Sequence, residues 1–174
     1  MDQNNRQNIS VLIPCRNEES YIEKAVRSIL DQTYENGDIE VIVIDGMSDD
    51  GTVAILNELA HQDARVKLVE NKARTTPQAM NLGLAAAQYD LILRIDAHAI
   101  ALPNFLKLNV EALQSDEAIM CAGGRINNVY ENTTAELIGY AMSSPFGVGN
   151  ATFRIGGEKK YVDTLAFGIY RKKV

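Results

Sequence analysis

A chain of 174 residues with 46% hydrophobic and 23% charged residues has the size and composition of one soluble globular domain. Its formal net charge of −6 argues against a nucleic-acid partner, because a phosphate backbone is bound by clustered cations. The polar N-terminus lacks a signal-peptide core, and no run approaches the ~18 apolar residues of a membrane span. Cys15 and Cys121 form no CxxC pattern, so we expect reduced thiols and a cytoplasmic location.

Short apolar runs alternate with stretches of helical periodicity along the chain. The predicted strands are ISVLIP at 9–14, IEVIVID at 39–45, VKLVE at 66–70, LILRID at 91–96 and AIMCAGGRI at 118–126. The predicted helices cover about 18–31, 52–61, 76–88 and a segment with Pro103 in its first turn. SSPFGVGN at 143–150 predicts a loop, and YVDTLAFGIYRKK a late strand. This order predicts a single α/β domain over residues 1–174 with a mostly parallel sheet.

Polar residues follow three of these strands, at the end of the sheet where such folds bind ligands. They are PCRNEES, DGMSDDGT at 45–52, and DAH at 96–98. The turn CRNEE has no glycine and the chain has no Walker A sequence, which argues against a dinucleotide-binding or P-loop enzyme. A divalent cation can hold a nucleoside diphosphate instead. Mg²⁺ and Mn²⁺ are usually coordinated by the phosphate oxygens together with one or two protein ligands, and Mn²⁺ also accepts imidazole. Asp96 and His98 have the spacing to bind one ion, because alternate residues of an extended segment face one way.

Each of these residues also has a structural explanation. Asp96 could cap a turn, and His98 could be a hydrogen-bonded, partly buried side chain. The segment 48–51 contains good helix N-cap residues. Asp45 ends an apolar strand and needs a partner, which could be a nucleobase N–H or a nearby backbone amide. His61 lies near a predicted helix end, outside the three polar clusters, and receives no role.

Four segments resemble the family 2 inverting glycosyltransferases of GT-A fold, in the family's order and approximate spacing. They are VLIPCRNEE, VIVIDGMSDDGT, TPQAMNLGLAAAQYDLILRIDAHA and TLAFGIYRKKV, so the resemblance runs from about Ile9 to Val174. DAH together with SSPFGVGNATFR is most similar to the bacterial exopolysaccharide subgroup, including the succinoglycan-biosynthesis type. The resemblance implies a Rossmann-like sheet flanked by helices. It also implies inverting, metal-assisted transfer from a nucleoside-diphosphate sugar, a UDP-sugar being favoured, to a saccharide or lipid-linked acceptor.

The resemblance also implies roles for matched positions. A nucleotide-sugar site would contain Pro14, Arg16, Glu18, Asp45, Asp50, Asn81 and Asp96. Asp45 would face the base, Asp50 would belong to the family's S-x-D-G-T turn with a nucleoside-side or structural role, and Asn81 would lie at the pocket edge. Asp96 and His98 stand where the family has Asp-x-Asp, which binds ribose, diphosphate and a divalent metal, Mn²⁺ or Mg²⁺.

Several positions depart from the family pattern. His98 replaces the usual second aspartate, Gly46 replaces a frequent aspartate, and Met80 stands where many members have arginine. The family's catalytic base lies in an acidic motif that we expect downstream of Val174, so the chain is expected to be C-terminally truncated and a poor transferase alone. Asp163 is the one late carboxylate that we would test as a cleft residue. A truncated sheet could self-associate, and the intact protein could sit at the inner face of the cytoplasmic membrane.

Two other functions remain open from the sequence. A sugar-phosphate nucleotidyltransferase shares this architecture, but it has a Gly-rich, basic loop after its first strand, and CRNEES is neither. A non-catalytic nucleotide-binding or interaction module would keep the sheet only. It would bind nucleotide, if at all, independently of Asp96 and His98.

Overall fold

The computed structural model describes residues 6–127, 129, 133, 160–162 and 165–172. The strands of this part are β1 (Ile9–Cys15), β2 (Ile39–Asp45), β3 (Val66–Glu70), β4 (Leu91–Arg94), β5 (Cys121–Gly123) and β6 (Gly168–Arg171). Its helices are α1 (Ile22–Leu30), α2 (Thr52–Gln62), α3 (Thr76–Ala86) and α4 (Phe105–Gln114). None of the described helices is long and apolar enough to cross a membrane.

The six strands form one mixed, mostly parallel sheet in the order β3-β2-β1-β4-β6-β5. The first four strands along the chain pair in parallel, and β6 pairs antiparallel to β4. The α/β fold with a mostly parallel, helix-flanked sheet is therefore confirmed. The parallel register brings Cys15 level with Asp45, and Asp45 level with Glu70. The loops that follow these strands consequently meet at one edge of the sheet.

The core forms where continuous apolar strands are covered by helices. Every residue of β2 is buried, as a strand covered on both faces requires. One helix, α3, lies very close to the sheet, because Gly83 has no side chain. A Cβ atom added at Gly83 would lie 3.0 Å from Ile44 Cδ1 and 3.2 Å from Leu12 Cδ1. This close contact fixes the helix that begins directly after the β3–α3 turn.

Several predicted boundaries are wrong in detail. β1 does not stop at Pro14 but continues to Cys15. The proline is tolerated because β4 pairs with β1 only as far as Leu12, so no neighbour on that side needs an N–H at position 14. β4 ends at Arg94, and the predicted strand 118–126 shortens to three residues. Pro103 precedes α4, which begins at Phe105, and among the described residues of the predicted late strand only Gly168–Arg171 form a strand, β6.

The chain divides into two compact units. The first contains Met1–Ala122 and Gly168–Val174, and the second contains Gly123–Phe167. Apart from Gly123, all the strands and helices named above belong to the first unit. Asp163 and the loop predicted at 143–150 lie outside the described residues. The prediction of one domain over the whole chain stays a prediction.

Candidate functional site

A cavity of about 200 Å³ lies at the carboxyl ends of the parallel strands. It is lined by residues at or beyond the carboxyl ends of β1, β2, β3 and β4 and by the start of α3, and the carboxyl ends of the strands are where ligands bind in open α/β sheets. The lining residues are Pro14, Cys15, Arg16, Glu18, Gly46, Asn71, Arg74, Thr75, Thr76, Ala79, Arg94 and Asp96.

The charged residues of this cavity are three arginines and two carboxylates. Arg16 and Arg74 are exposed, and no hydrogen bond or ion pair joins either guanidinium to another described residue. Arg94 forms an ion pair with Asp96. Planar guanidinium groups bind phosphate oxygens in pairs of hydrogen bonds. The arrangement therefore suits an anionic ligand that carries phosphate.

Asn71 supplies a buried hydrogen-bond acceptor that has no partner among the described residues. The residue is 1% exposed and follows the last residue of β3. Its side-chain amide donates to the Thr75 carbonyl at 2.9 Å, which orients the group, and its backbone N–H donates to the Asp45 carbonyl at 2.7 Å. Oδ1 remains unpaired, whereas nearly all buried polar atoms in proteins are paired. A donor from a ligand or water in the cavity would complete it.

Asp45 is held from within the protein. It is 5% exposed, and its carboxylate accepts the Ser48 N–H at 3.0 Å and the Ser48 hydroxyl at 2.5 Å. The Cys15 thiol lies 3.8 Å from the same carboxylate. Burial, together with the negative charge of Asp45, raises the pKa of Cys15 to about 12. The backbone amide of Ser48 is thus the structural partner that an aspartate at a strand end requires.

Reciprocal hydrogen bonds lock the β1–α1 loop to the β2–α2 loop. Asn17 Nδ2 donates to Asp49 Oδ1 at 2.7 Å, while the Asp49 N–H donates to Asn17 Oδ1 at 3.0 Å. The Glu18 N–H donates to Thr52 Oγ1 at 2.8 Å. Asp50 accepts the N–H groups of Thr52 and Glu19 at 3.0 and 3.2 Å. The lock fixes the loop that carries two cavity residues, Arg16 and Glu18.

The role of Asp50 in this lock is structural. Its pKa is lowered, chiefly by the hydrogen bond from the Thr52 side chain and further by the N–H groups of Thr52 and Glu19. Asp50 does not line the cavity. Of the two roles implied for this aspartate, the contacts favour the structural one.

The segment after β4 is not extended, although the prediction that Asp96 and His98 bind one ion requires an extended segment. It turns at once, and the Ala99 N–H donates to the Asp96 carbonyl at 3.0 Å. Asp96 lines the cavity, whereas His98 is 59% exposed and lies with Nδ1 3.1 Å from Glu18 Oε1. Because of this turn, the spacing of Asp96 and His98 no longer implies that both side chains face the same ion.

A divalent cation still fits the donor set at Asp96. No group of three or more His, Cys, Asp or Glu residues that could hold a metal occurs among the described residues. Mg²⁺ and Mn²⁺ need only one or two carboxylates, however, when ligand phosphates supply further oxygens. Asp96 meets that requirement at the wall of a cavity suited to phosphate.

The predicted site residues fall into three groups. Pro14, Arg16, Glu18 and Asp96 line the cavity, while Asp45 and His98 contact residues that line it. Asn81 is exposed on α3 and, like Asp50, is not a lining residue.

Sequence reasoning missed Asn71, Arg74, Thr75 and Arg94. The signal was the polar run NKARTT directly after the third strand, at the same position as the polar runs after the other strands. Arg94 was hidden because it is the last residue of an otherwise apolar strand.

Comparison with known proteins supports a single family. The family model described as Glycosyl transferase family 2 matches residues 10–174. A dolichyl N-acetyl-alpha-D-glucosaminyl phosphate 3-beta-D-2,3-diacetamido-2,3-dideoxy-beta-D-glucuronosyltransferase of Methanococcus voltae is 32% identical, over 95% of this chain and 53% of its own length. The succinoglycan biosynthesis protein ExoA of Rhizobium meliloti is 30% identical, over 84% of this chain and 44% of its own.

A similar solved structure is the mannosyltransferase PcManGT of Pyrobaculum calidifontis, in complex with GDP-Man and Mn²⁺. It is 27% identical with a TM-score of 0.64, over 71% of this chain and 36% of that chain. The chain thus spans about half the length, or less, of the relatives it matches. Its sheet matches the GT-A glycosyltransferase fold. By sequence and by fold, the chain belongs to glycosyl transferase family 2.

Proposed function

We propose that this chain binds the nucleoside-diphosphate sugar of a family 2 glycosyltransferase in the cavity at the carboxyl ends of its parallel strands. The whole protein would transfer the sugar, with inversion, to a saccharide or lipid-linked acceptor. The observation that carries this proposal is the unpaired, buried Oδ1 of Asn71 in a cavity that also presents Arg16 and Arg74.

Each group has a defined part in donor binding. Asn71 Oδ1 accepts an N–H of the nucleobase, and uracil, guanine and cytosine all carry one. Arg16 and Arg74 offset the charge of the diphosphate. The hydrogen bonds between the β1–α1 and β2–α2 loops keep the backbone of Arg16 in position. No described residue is assigned as the general base that deprotonates the acceptor hydroxyl.

A divalent cation is part of the proposal. Asp96 would hold it together with the phosphates, and the exposed His98 is the further predicted ligand. When bound, such an ion offsets the charge that develops on the departing nucleoside diphosphate. The complex of the Pyrobaculum calidifontis mannosyltransferase with GDP-Man and Mn²⁺ supports both the donor class and the metal.

The acceptor class is a finer proposal. The similarity to the succinoglycan biosynthesis protein supports a polysaccharide-type acceptor in an exopolysaccharide pathway. The similarity to the Methanococcus voltae enzyme, whose name includes a dolichyl phosphate, supports a lipid-linked saccharide. Both acceptors present a sugar hydroxyl to the same donor site.

The test is calorimetric titration of UDP, GDP and CDP, each with and without Mn²⁺. Wild type is compared with Asp96→Asn, Asn71→Ala and the control Asp63→Asn, a carboxylate at the opposite end of the sheet. We expect one nucleotide to bind with metal dependence. Asp96→Asn should lose that dependence, and Asn71→Ala should weaken binding about tenfold through loss of one acceptor.

Two results would contradict the proposal. Folded wild type that binds none of the three nucleotides would refute the donor site. Equal, metal-independent binding by wild type and Asp96→Asn would instead support a non-catalytic nucleotide-binding module.

A further inference from the structure

We propose that Arg94 exchanges partners during donor binding: it leaves Asp96 when that carboxylate binds a cation, and it turns to the phosphates of the nucleotide. This inference rests on the proposed donor site and adds a residue that couples metal binding to nucleotide binding. It starts from the ion pair between Arg94 and Asp96, which lies in the cavity wall.

The position of Arg94 follows from the strand that carries it. Arg94 is the last residue of β4, and its backbone is level with Leu12 of the neighbouring β1. The two strands are paired up to this point, so the backbone of Arg94 is fixed beside the cavity. Asp96 follows two residues later in the turn. The side chains of Arg94 and Asp96 therefore meet at the cavity wall, and they can separate while the strands stay paired.

The ion pair is well suited to exchange. The side chains of Arg94 and Asp96 are 33% and 28% exposed. Partly exposed pairs contribute little to stability, so opening this one costs little. Arg94 bonds to Asp96 Oδ1 itself, which is one of only two oxygens that the carboxylate offers a metal.

A cation on Asp96 and a guanidinium on the same carboxylate compete. The guanidinium occupies an oxygen that the ion needs, and two positive groups that share one carboxylate repel each other. Bound phosphates remove the conflict, because they offer Arg94 a second anionic partner in the same cavity. Arg94 then joins Arg16 and Arg74, which face the cavity already.

The proposal makes two predictions of opposite sign for one substitution. In Arg94→Met, Asp96 loses its competitor, so Mn²⁺ alone should bind about fivefold to tenfold more tightly. The same variant lacks a phosphate partner, so the nucleotide in the presence of Mn²⁺ should bind about tenfold more weakly. A residue that only keeps Asp96 in place would not produce this pair of effects.

The experiment measures Mn²⁺ alone by electron paramagnetic resonance, and UDP, GDP and CDP with saturating Mn²⁺ by calorimetry. Wild type is compared with Arg94→Met, with Arg94→Lys and with the control Arg65→Met. Arg65 is paired with Asp63, also two residues away, at 2.7 Å, but it lies at the amino end of β3. The control should leave both affinities unchanged, and Arg94→Lys should restore part of the nucleotide affinity because it keeps a charge.

The outcomes separate this inference from the donor-site proposal. Opposite changes in Arg94→Met support the exchange. Metal and nucleotide affinities that fall together, or that both stay at the wild-type level, overturn the exchange but leave the donor site intact. Folded wild type that binds none of UDP, GDP and CDP overturns both.

Discussion

Glu40 is a buried carboxylate that ties together three parts of the first unit. It is 3% exposed and accepts hydrogen bonds from the Ser10 hydroxyl at 2.5 Å, from Lys67 Nζ at 2.6 Å and from the Gln88 N–H at 2.8 Å. Burial raises its pKa, but the bonds from Lys67, Ser10 and Gln88 outweigh that effect, so the pKa is lowered from its ordinary 4.5. The ionised form is therefore the one that stabilises the fold.

Replacing Glu40 by Gln should lower the free energy of unfolding by about 2 kcal/mol at pH 7, because it leaves Lys67 without its buried partner. The contribution of Glu40 is present above pH 4.5 and is lost as the pH falls through the lower folded pKa. Urea unfolding from pH 3 to 7 measures both effects. Glu23→Gln is the control, since its pair with Arg27 is about half exposed and should matter by less than about 0.5 kcal/mol. Similar losses in the two variants would contradict the role of Glu40.

Cys15 should be chemically inert in the folded protein although it lines the cavity. With its pKa raised to about 12 by burial and by Asp45, only about one thiol in ten thousand is ionised at pH 8, and the thiolate is the reactive form. We expect alkylation of Cys15 by iodoacetamide at pH 8 only after unfolding in urea, as measured by mass spectrometry of the peptide that contains it. Modification of native Cys15 at the rate of a free thiol would contradict this prediction.

At the scale of elements, the two loops at the cavity depend on Asn17. This residue has a φ of 57°, in the left-handed region, and it makes both reciprocal bonds to Asp49. Asn17→Gly loses these bonds but keeps the backbone at no steric cost, whereas Asn17→Ala loses the bonds and strains the backbone. We expect losses of about 1 kcal/mol for Gly and about 2 kcal/mol for Ala in chemical denaturation. Equal losses would show that the backbone conformation does not matter.

The order of the elements could be predicted from periodicity, but some of their ends could not. The apolar runs of β1, β2 and β4 lie in strands that are covered on both faces, whereas β3 is only partly buried. Pro14 was predicted to end β1, and it does not, because β4 pairs with β1 only as far as Leu12 and needs no N–H from Pro14. That depends on pairing between distant segments, which local pattern does not contain.

Only part of the site was within reach of the sequence. The carboxylates at the end of β2 and directly beyond β4 stand out after apolar runs, so Asp45 and Asp96 were identified. The roles of Asn71 and Arg94 depend on contacts instead: an amide turned by the Thr75 carbonyl, and a guanidinium bonded to Asp96. The turn after β4 likewise results from a backbone bond, and it separates His98 from the position that residue spacing suggested.

At the scale of the whole molecule, the division into two units predicts that the first unit can fold without the second. The first unit includes chain from both sides of the second, and its strands β5 and β6 are neighbours in the sheet. The Arg171 N–H donates to the Met120 carbonyl at 3.1 Å. Replacing residues 125–166 by a short Gly-Ser linker should therefore leave the first unit folded.

We expect this deletion variant to unfold cooperatively, with a Tm within about 5 °C of wild type by circular dichroism. Nucleotide binding gives a second measurement, because every residue of the cavity lies in the first unit. A variant that lacks a cooperative transition would show instead that the chain folds as a single domain.

The place of β6 between β4 and β5 also has a consequence for synthesis on the ribosome. Strands β2, β3 and β4 can each pair as soon as they emerge, since β2 and β4 pair with β1 and β3 pairs with β2, which are already made. The edge of β4 that faces away from β1 stays unpaired until Gly168–Arg171 emerge, because these residues of β6 pair with it antiparallel. Until then it presents unpaired backbone groups that another nascent chain could bind. Chaperone contact during translation should therefore concentrate on β4, and it should end when β6 becomes available.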